Sequence, residues 1–302
     1  MRPNAASEPA PQIASTAADS ATGARSEDAA QLRRRKRRSL LAVSGTYAAI
    51  TTWMYFAWFY DKPELPNFTF GGDRWFQDST YAGGADKLGH MWSGYALGRL
   101  TTTLLRRGGW SPGAASILGS SLSCALFTYV EIHDGFYYQM SPGDLAGDAT
   151  GCLLSWVMER SPTLDRMFDL RVEYVSSPEY RRTFLDGDIN IAEDYSGQSF
   201  MLAAHIGEMP WLRAQPSAKY LRYVDVVVGF KTRNYKPDPD PELGKQRRQT
   251  LFLGLSLNAQ AVWDDVFARQ RKLRRIGHGI FEVANLPYTS LPLVKATRSP
   301  DD

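Results

Sequence analysis

Three short segments concentrate the side chains able to do chemistry. DKLGH supplies Asp86, Lys87 and His90; YVEIHDG supplies Glu131, His133 and Asp134; SPGDLAGD supplies Asp144 and Asp148. Spacings of three and four put Lys87 with His90, Glu131 with Asp134, and Asp144 with Asp148 on single helix faces. A histidine with two or three carboxylates suits a divalent cation, which makes His90, Glu131 and Asp144 candidate metal ligands. The same groups suit general acid and base work, so the candidate catalytic set is Asp86, Lys87, His90, Glu131, Asp134, Asp144 and Asp148. Plainer readings compete. Ser141-Pro142-Gly143-Asp144 is a capping-box pattern, Asp86 fits a helix N-cap, and Asp134-Gly135 fits a helix end. Lys87 fits a structural salt bridge to Glu131 or Asp144. Glu131 resists such readings, because it follows an uncharged run from Gly108 to Val130 and must be paired, protonated or in a wet cavity. Asp148, one turn inside an apolar helix, is awkward in the same way. H-E-x-x-H, C-x-x-C, P-loop, dinucleotide-binding and G-x-S-x-G motifs are absent, so no reaction or substrate is indicated.

The elements that must position these groups are three helices, over about Lys87–Arg107, Pro112–Asp134 and Pro142–Arg160. The connections at 108–111 and 135–141 are short, so neighbouring helices run antiparallel. The start of the first, the end of the second and the start of the third then share one pole. Five carboxylates, two histidines and a lysine converge there. Gly94 and Gly98, with Gly143, Gly147 and Gly151, provide the small-residue ridges that let helices approach closely. Beyond Ser161 the period becomes two, as in Phe168-Leu170-Val172-Tyr174, Phe200-Leu202-Ala204-Ile206, Val224-Val226-Val228-Phe230 and Leu251-Leu253-Leu255-Leu257. This predicts half-buried strands in a small antiparallel sheet, then a helix from about Ala261 to Arg275. The fold class expected is α+β.

Ahead of the bundle, residues 1–30 are rich in Ala, Ser and Pro and predict disorder. Six basic residues, Arg33 to Arg38, precede an uncharged run from Ser39 to Tyr60. As a helix this run would reach about 33 Å, the thickness of a bilayer's hydrocarbon core. The basic cluster predicts a cytoplasmic N-terminus, and Trp53, Tyr55, Trp58 and Tyr60 an aromatic belt at the far interface. Arg37-Arg38-Ser-Leu-Leu weakly resembles a twin-arginine export signal, and no small-residue cleavage site follows. The organisation read here is a disordered basic tail over 1–38, a membrane anchor over 39–60, a helical bundle with its polar cluster over 61–160, and a strand-rich region over 161–302. Whether the bundle also crosses the membrane, with its basic flanks Arg106, Arg107 and Arg160 inside, or lies at the interface is left open. The net charge of +3 argues against a nucleic-acid binder, while the anchor makes membrane lipid the expected partner, with an envelope component or lipid-linked substrate beside it. Cys124 and Cys152 read as buried small hydrophobes.

The blocks DKLGHMWSGYALGRL, YVEIHDGFYYQMSPGDLAGDATG and EDYSGQSFMLAAHI resemble the YfiM-like family of predicted periplasmic or envelope lipoproteins of unknown function, over about Phe68 to Pro292. Asp86 to Trp156 is also similar to the VanZ-like membrane family. The shared pattern singles out Asp86, Lys87, His90, Glu131, Asp134, Gly135, Ser141, Asp144 and Gly151. Two departures stand out: Asp148 takes a place that is usually Asn, and a lipidation cysteine is absent. The resemblance implies a protein of the inner membrane or cell envelope. Two expectations follow. In one, the protein is structural or accessory, its polar cluster locking three helices. In the other, it is a membrane-interface enzyme acting on a lipid-linked or cell-wall substrate, with a divalent metal as its candidate cofactor.

Overall fold

The computed structural model describes residues 13–72, 74–216, 218–237 and 246–299. A long first helix, α1 (Ile13–Met54), ends in a π-helical turn, Tyr55–Phe59. Helices α2 (Ala85–Arg107), α3 (Pro112–Tyr137) and α4 (Pro142–Arg160) follow. Five strands, β1 (Phe168–Tyr174), β2 (Gln198–His205), β3 (Val224–Arg233), β4 (Arg248–Leu257) and β5 (Ser290–Arg298), form one antiparallel meander in sequence order. The architecture is α+β.

Local chemistry sets the helix starts. Ser111 caps α3 by accepting the Ala114 N–H, and Ser141 caps α4 by accepting that of Asp144, each followed by proline at the first helical position. α2 starts after Gly83 and Gly84, whose φ angles of 58° and 85° lie in the left-handed region. The cap of α2 is therefore Gly84, and Asp86 is released for other bonds. The α2–α4 contact depends on glycine: a Cβ on Gly151 would collide with the Met91 carbonyl, and one on Gly147 with that of Lys87.

The N-terminal region is described from Ile13. Residues 1–12 of the expected tail lie outside the described residues, and from Ile13 onward the chain is helical. Ala, Arg, Lys, Glu and Gln dominate residues 27–38, and these lose little side-chain freedom in a helix. The run 39–60 packs on the other helices. Val43 packs with Leu105 and Ala115, and Met54 packs with Leu97, Phe127 and Val130, which makes α1 a fourth member of the bundle. Its outer face leaves Leu40, Leu41, Tyr55, Phe56 and Tyr60 exposed. Among helices of the described residues, α3 is the one long and apolar enough to cross a membrane, with a mean hydropathy of 1.4. At the foot of the bundle the Arg35 guanidinium donates to the Arg107 carbonyl and the Lys36 ammonium lies over the Trp110 ring. The basic run thus meets Arg106 and Arg107 at one pole.

The sheet packs against α2 and α4 through two clusters. Ala82, Ala85, Leu88 and Trp92 meet Val172, Tyr195, Phe200 and Tyr235, while Tyr95 and Met158 meet Phe168 and Leu170. Farther along the same face, Leu202, Val228, Leu251 and Leu253 are about half exposed. The opposite face is closed too, and there a buried apolar cluster of Met201, Ala203, Val227 and Phe252 adjoins a polar network. Arg171, only 1% exposed, donates to Asp225 (2.7 Å) and Asp169 (2.6 Å), and His205 bridges the same two carboxylates at 2.8 and 3.0 Å. The alternation in the strands therefore does not put apolar side chains inward and polar ones outward. The reason is the cover after β4. Helices Ala259–Val266 and Arg271–Phe281 fold back on each other, with Gly277 against Trp263, and Gln260 and Asn285 reach Arg171 and Glu173. Two helices thus replace the single one expected over 261–275. β5 escaped prediction because it is an exposed edge strand with Pro292 breaking its pattern.

Candidate functional site

The shared pole holds a connected polar centre. Lys87, 4% exposed, donates to Asp86 at 2.8 Å and to Asp144. Asp86 also accepts from Tyr81 (2.5 Å) and Tyr195 (2.8 Å). His90 Nδ1 lies 3.0 Å from Asp148 Oδ1 and 3.6 Å from Glu131 Oε1, and its Nε2 lies 3.8 Å from both Asp86 Oδ1 and Asp144 Oδ1. Glu131 Oε2 accepts the Ser141 N–H at 3.2 Å. α2, α3 and α4 are thereby joined through their ionisable side chains.

Six of the seven residues singled out from the sequence, Asp86, Lys87, His90, Glu131, Asp144 and Asp148, are linked in one network through Lys87 and His90. Asp134 lines the adjoining cavity. His133 turns away and stacks on Tyr137 and Phe59, at centroid distances of 4.9 and 4.4 Å, because a helix places neighbouring residues about 100° apart. Lys87 pairs with Asp86 and Asp144 and not with Glu131. Tyr81 and Tyr195 come from a loop and from the approach to β2, where no periodic pattern marks them.

The electrostatics are lopsided. Burial pushes Glu131 up to about 8, Asp134 to about 7 and Asp86 to about 6, with the negative charge of Asp144 adding to each. Burial disfavours protonated His90, but the hydrogen bond to Asp148 and the charges of Asp148, Asp86 and Asp144 outweigh it and raise its pKa. Burial acts on Asp144 too, yet His90 and Lys87 together hold its carboxyl below the usual range. Two carboxylate oxygens, Glu131 Oε1 and Asp148 Oδ2, accept no hydrogen bond although both residues are 1% exposed.

Above this centre opens a cavity of about 980 Å³. Asp86, Lys87, His90, Asp134 and Asp144 form its polar floor, and Trp53, Trp58, Trp75, Trp92, Phe127 and Phe200 contribute apolar wall. Lys236 and Glu193, paired at 3.1 Å, lie at its side. The aromatic wall from α1 and from the loop before α2 had no signature in the sequence beyond an excess of aromatics. Cys124 and Cys152 are both free.

Comparison with curated proteins and with solved structures gives no match. Residues 72–160, which carry α2, α3, α4 and all seven candidate residues, match a family model described as predicted periplasmic lipoprotein (DUF2279). The match ends with α4 and does not extend into the strands. Over this part, then, the chain is similar to a family of envelope lipoproteins of unknown function.

Proposed function

We propose that this is a membrane-attached protein of the cell envelope that binds an amphiphilic, lipid-type molecule, its apolar part against the tryptophans and its polar head on the Asp86–Lys87–His90–Asp134–Asp144 floor. The observation that carries this reading is the continuity of one cavity from aromatic wall to ionisable floor; a concave, mostly apolar site with a few convergent polar groups is what ligand pockets require. The polar centre has a second role as the tie between α2, α3 and α4, since a cavity this large needs walls that do not collapse. Attachment is assigned to the outer faces of α1, its π-helical turn and α3, which carry Leu40, Leu41, Phe56, Ile117, Leu122 and Phe136. The basic pole, with Arg33–Arg38, Arg106 and Arg107, faces the cytoplasm by the charge tendency of membrane proteins. A reporter fused to Met1 is expected to register the cytoplasm.

Ser93 lines the cavity. Solvent extraction of the purified protein is expected to yield a bound amphiphile at near one per chain, and Ser93→Trp, which fills the space, is expected to lose it without a change in melting temperature. A brominated-chain phospholipid should quench the tryptophan fluorescence of wild type more than that of the variant. A wild-type protein that carries no lipid and shows no quenching removes the reading. Acid–base chemistry on the bound head group is the second reading, favoured by Asp134, which faces the cavity with a carboxyl raised to about 7. For that reading Asp134→Asn should abolish turnover, a loss far larger than any weakening of lipid binding.

A further inference from the structure

Two groups in the polar centre have the composition and spacing to hold a metal ion: Asp86, His90 and Asp144, and His90, Glu131 and Asp148. They differ in what already compensates them. In the first, the Lys87 ammonium bonds both carboxylates, so a cation is built into the chain. In the second, two carboxylates from α3 and α4 face one imidazole nitrogen. Glu131 Oε1 and Asp148 Oδ2 have no hydrogen-bond donor, and each residue is 1% exposed. Buried carboxyl oxygens without a hydrogen-bond partner are costly, and hydrogen bonds elsewhere in the cluster do not reach these two.

We propose that His90 Nδ1, Glu131 and Asp148 form a divalent-cation site. Their ligand atoms lie within 4.8 Å of one another, with Asp148 Oδ1 3.0 Å and Glu131 Oε1 3.6 Å from His90 Nδ1. Ligation through Nδ1 places the ring proton on Nε2, which faces Asp86 Oδ1 and Asp144 Oδ1 at 3.8 Å each. Those two carboxylates then serve as the outer partners that fix ring orientation and tautomer. Asp144, a ligand candidate from sequence, is thereby assigned to the outer shell, and Asp148 takes its place. One imidazole and two carboxylates suit a first-row divalent ion such as Mn²⁺, Fe²⁺, Co²⁺ or Zn²⁺. Three protein ligands leave coordination positions for water or for an oxygen atom of a molecule in the cavity that His90 lines. The site stands on these contacts whether or not the cavity takes an amphiphile.

The test uses full-length protein stripped with chelator and then titrated with Mn²⁺ alone, free ion being read from its six-line electron paramagnetic resonance signal. One saturable site per chain is expected, with pulsed resonance showing coupling to the nitrogen of one histidine. Asp148→Asn and Glu131→Gln keep shape and remove charge; each should weaken Mn²⁺ binding at least about tenfold, the loss already typical of disturbed outer-shell partners. His205→Gln, in the sheet, should bind as wild type does. Folded wild type without saturable Mn²⁺, bound Mn²⁺ without nitrogen coupling, or either carboxylate variant binding as tightly as wild type overturns the site. If a variant does not fold, the wild-type stoichiometry and nitrogen coupling decide alone.

Discussion

Two buried histidine centres lie in one chain, and they are balanced differently. In the sheet, Arg171 and His205 face Asp169 and Asp225, two cations for two carboxylates, in a ring of hydrogen bonds between 2.6 and 3.0 Å. Burial alone would raise the Asp169 pKa, yet Arg171 and His205 hold it below the ordinary range. Burial alone would lower His205, yet the hydrogen bonds to Asp169 and Asp225 lift it to about 9. In the bundle, Lys87 and His90 face five carboxylates, three of which burial pushes up to between about 6 and about 8. A buried network that is matched in charge serves as a lock, even with Arg171 Nε left without a partner. One that is left short of positive charge is poised to take a proton, a cation or a ligand. The same residue types therefore carry different meanings, decided by how many opposite charges come within reach.

The comparison can be broken at its strongest point. Arg171→Met leaves Asp169 and Asp225 with His205 alone, and breaking a buried pair in this way is expected to cost about 3–5 kcal/mol, read from urea denaturation. A loss below about 1 kcal/mol would mean that the sheet centre is not a lock. Lys87→Met strands Asp86 and Asp144 but leaves Tyr81 and Tyr195 bonded to Asp86. It is expected to destabilise less than Arg171→Met in the same titration, and added Mn²⁺ should not restore the loss, because the cation is assigned to the other side of His90.

A pH scan sharpens the contrast. His205 has a folded pKa near 9 against an ordinary 6.5, so its stabilisation is complete below about pH 6.5 and is lost as pH rises through about 9. The melting temperature of wild type should fall over that interval, and His205→Gln should flatten the fall. The smallest effect belongs to Glu131→Gln. Without metal, it exchanges an under-compensated carboxylate for a neutral isostere that still accepts the Ser141 N–H, so stability should change by less than about 1 kcal/mol or rise. With Mn²⁺ present, only the wild type should gain further stability.

Much of the polar centre was legible. Helix period and two short connections are enough to bring DKLGH, EIHDG and SPGDLAGD to one pole, because antiparallel neighbours must put a start beside an end. The Ser141 cap and the glycine ridge at Gly147 and Gly151 were legible for the same reason, since both are local rules of helix geometry. The second centre was not. Asp169, Arg171, His205 and Asp225 occupy alternate positions that read as the solvent side of their strands, and only the helical hairpin after β4 converts that side into an interior. The packing of α1 was equally hidden, because an apolar run has the same composition whether lipid or protein covers it.

By itself, then, the sequence determined which residues share a helix face, which helices run antiparallel and which groups of atoms must meet at the polar pole, because these follow from period and loop length. Only the tertiary structure decided that Lys87 serves Asp86 and Asp144, that Glu131 and Asp148 face His90, and that the polar network of the sheet is buried. Those outcomes depend on distances of a few tenths of an ångström and on which element covers which face, and neither quantity is encoded in local spacing.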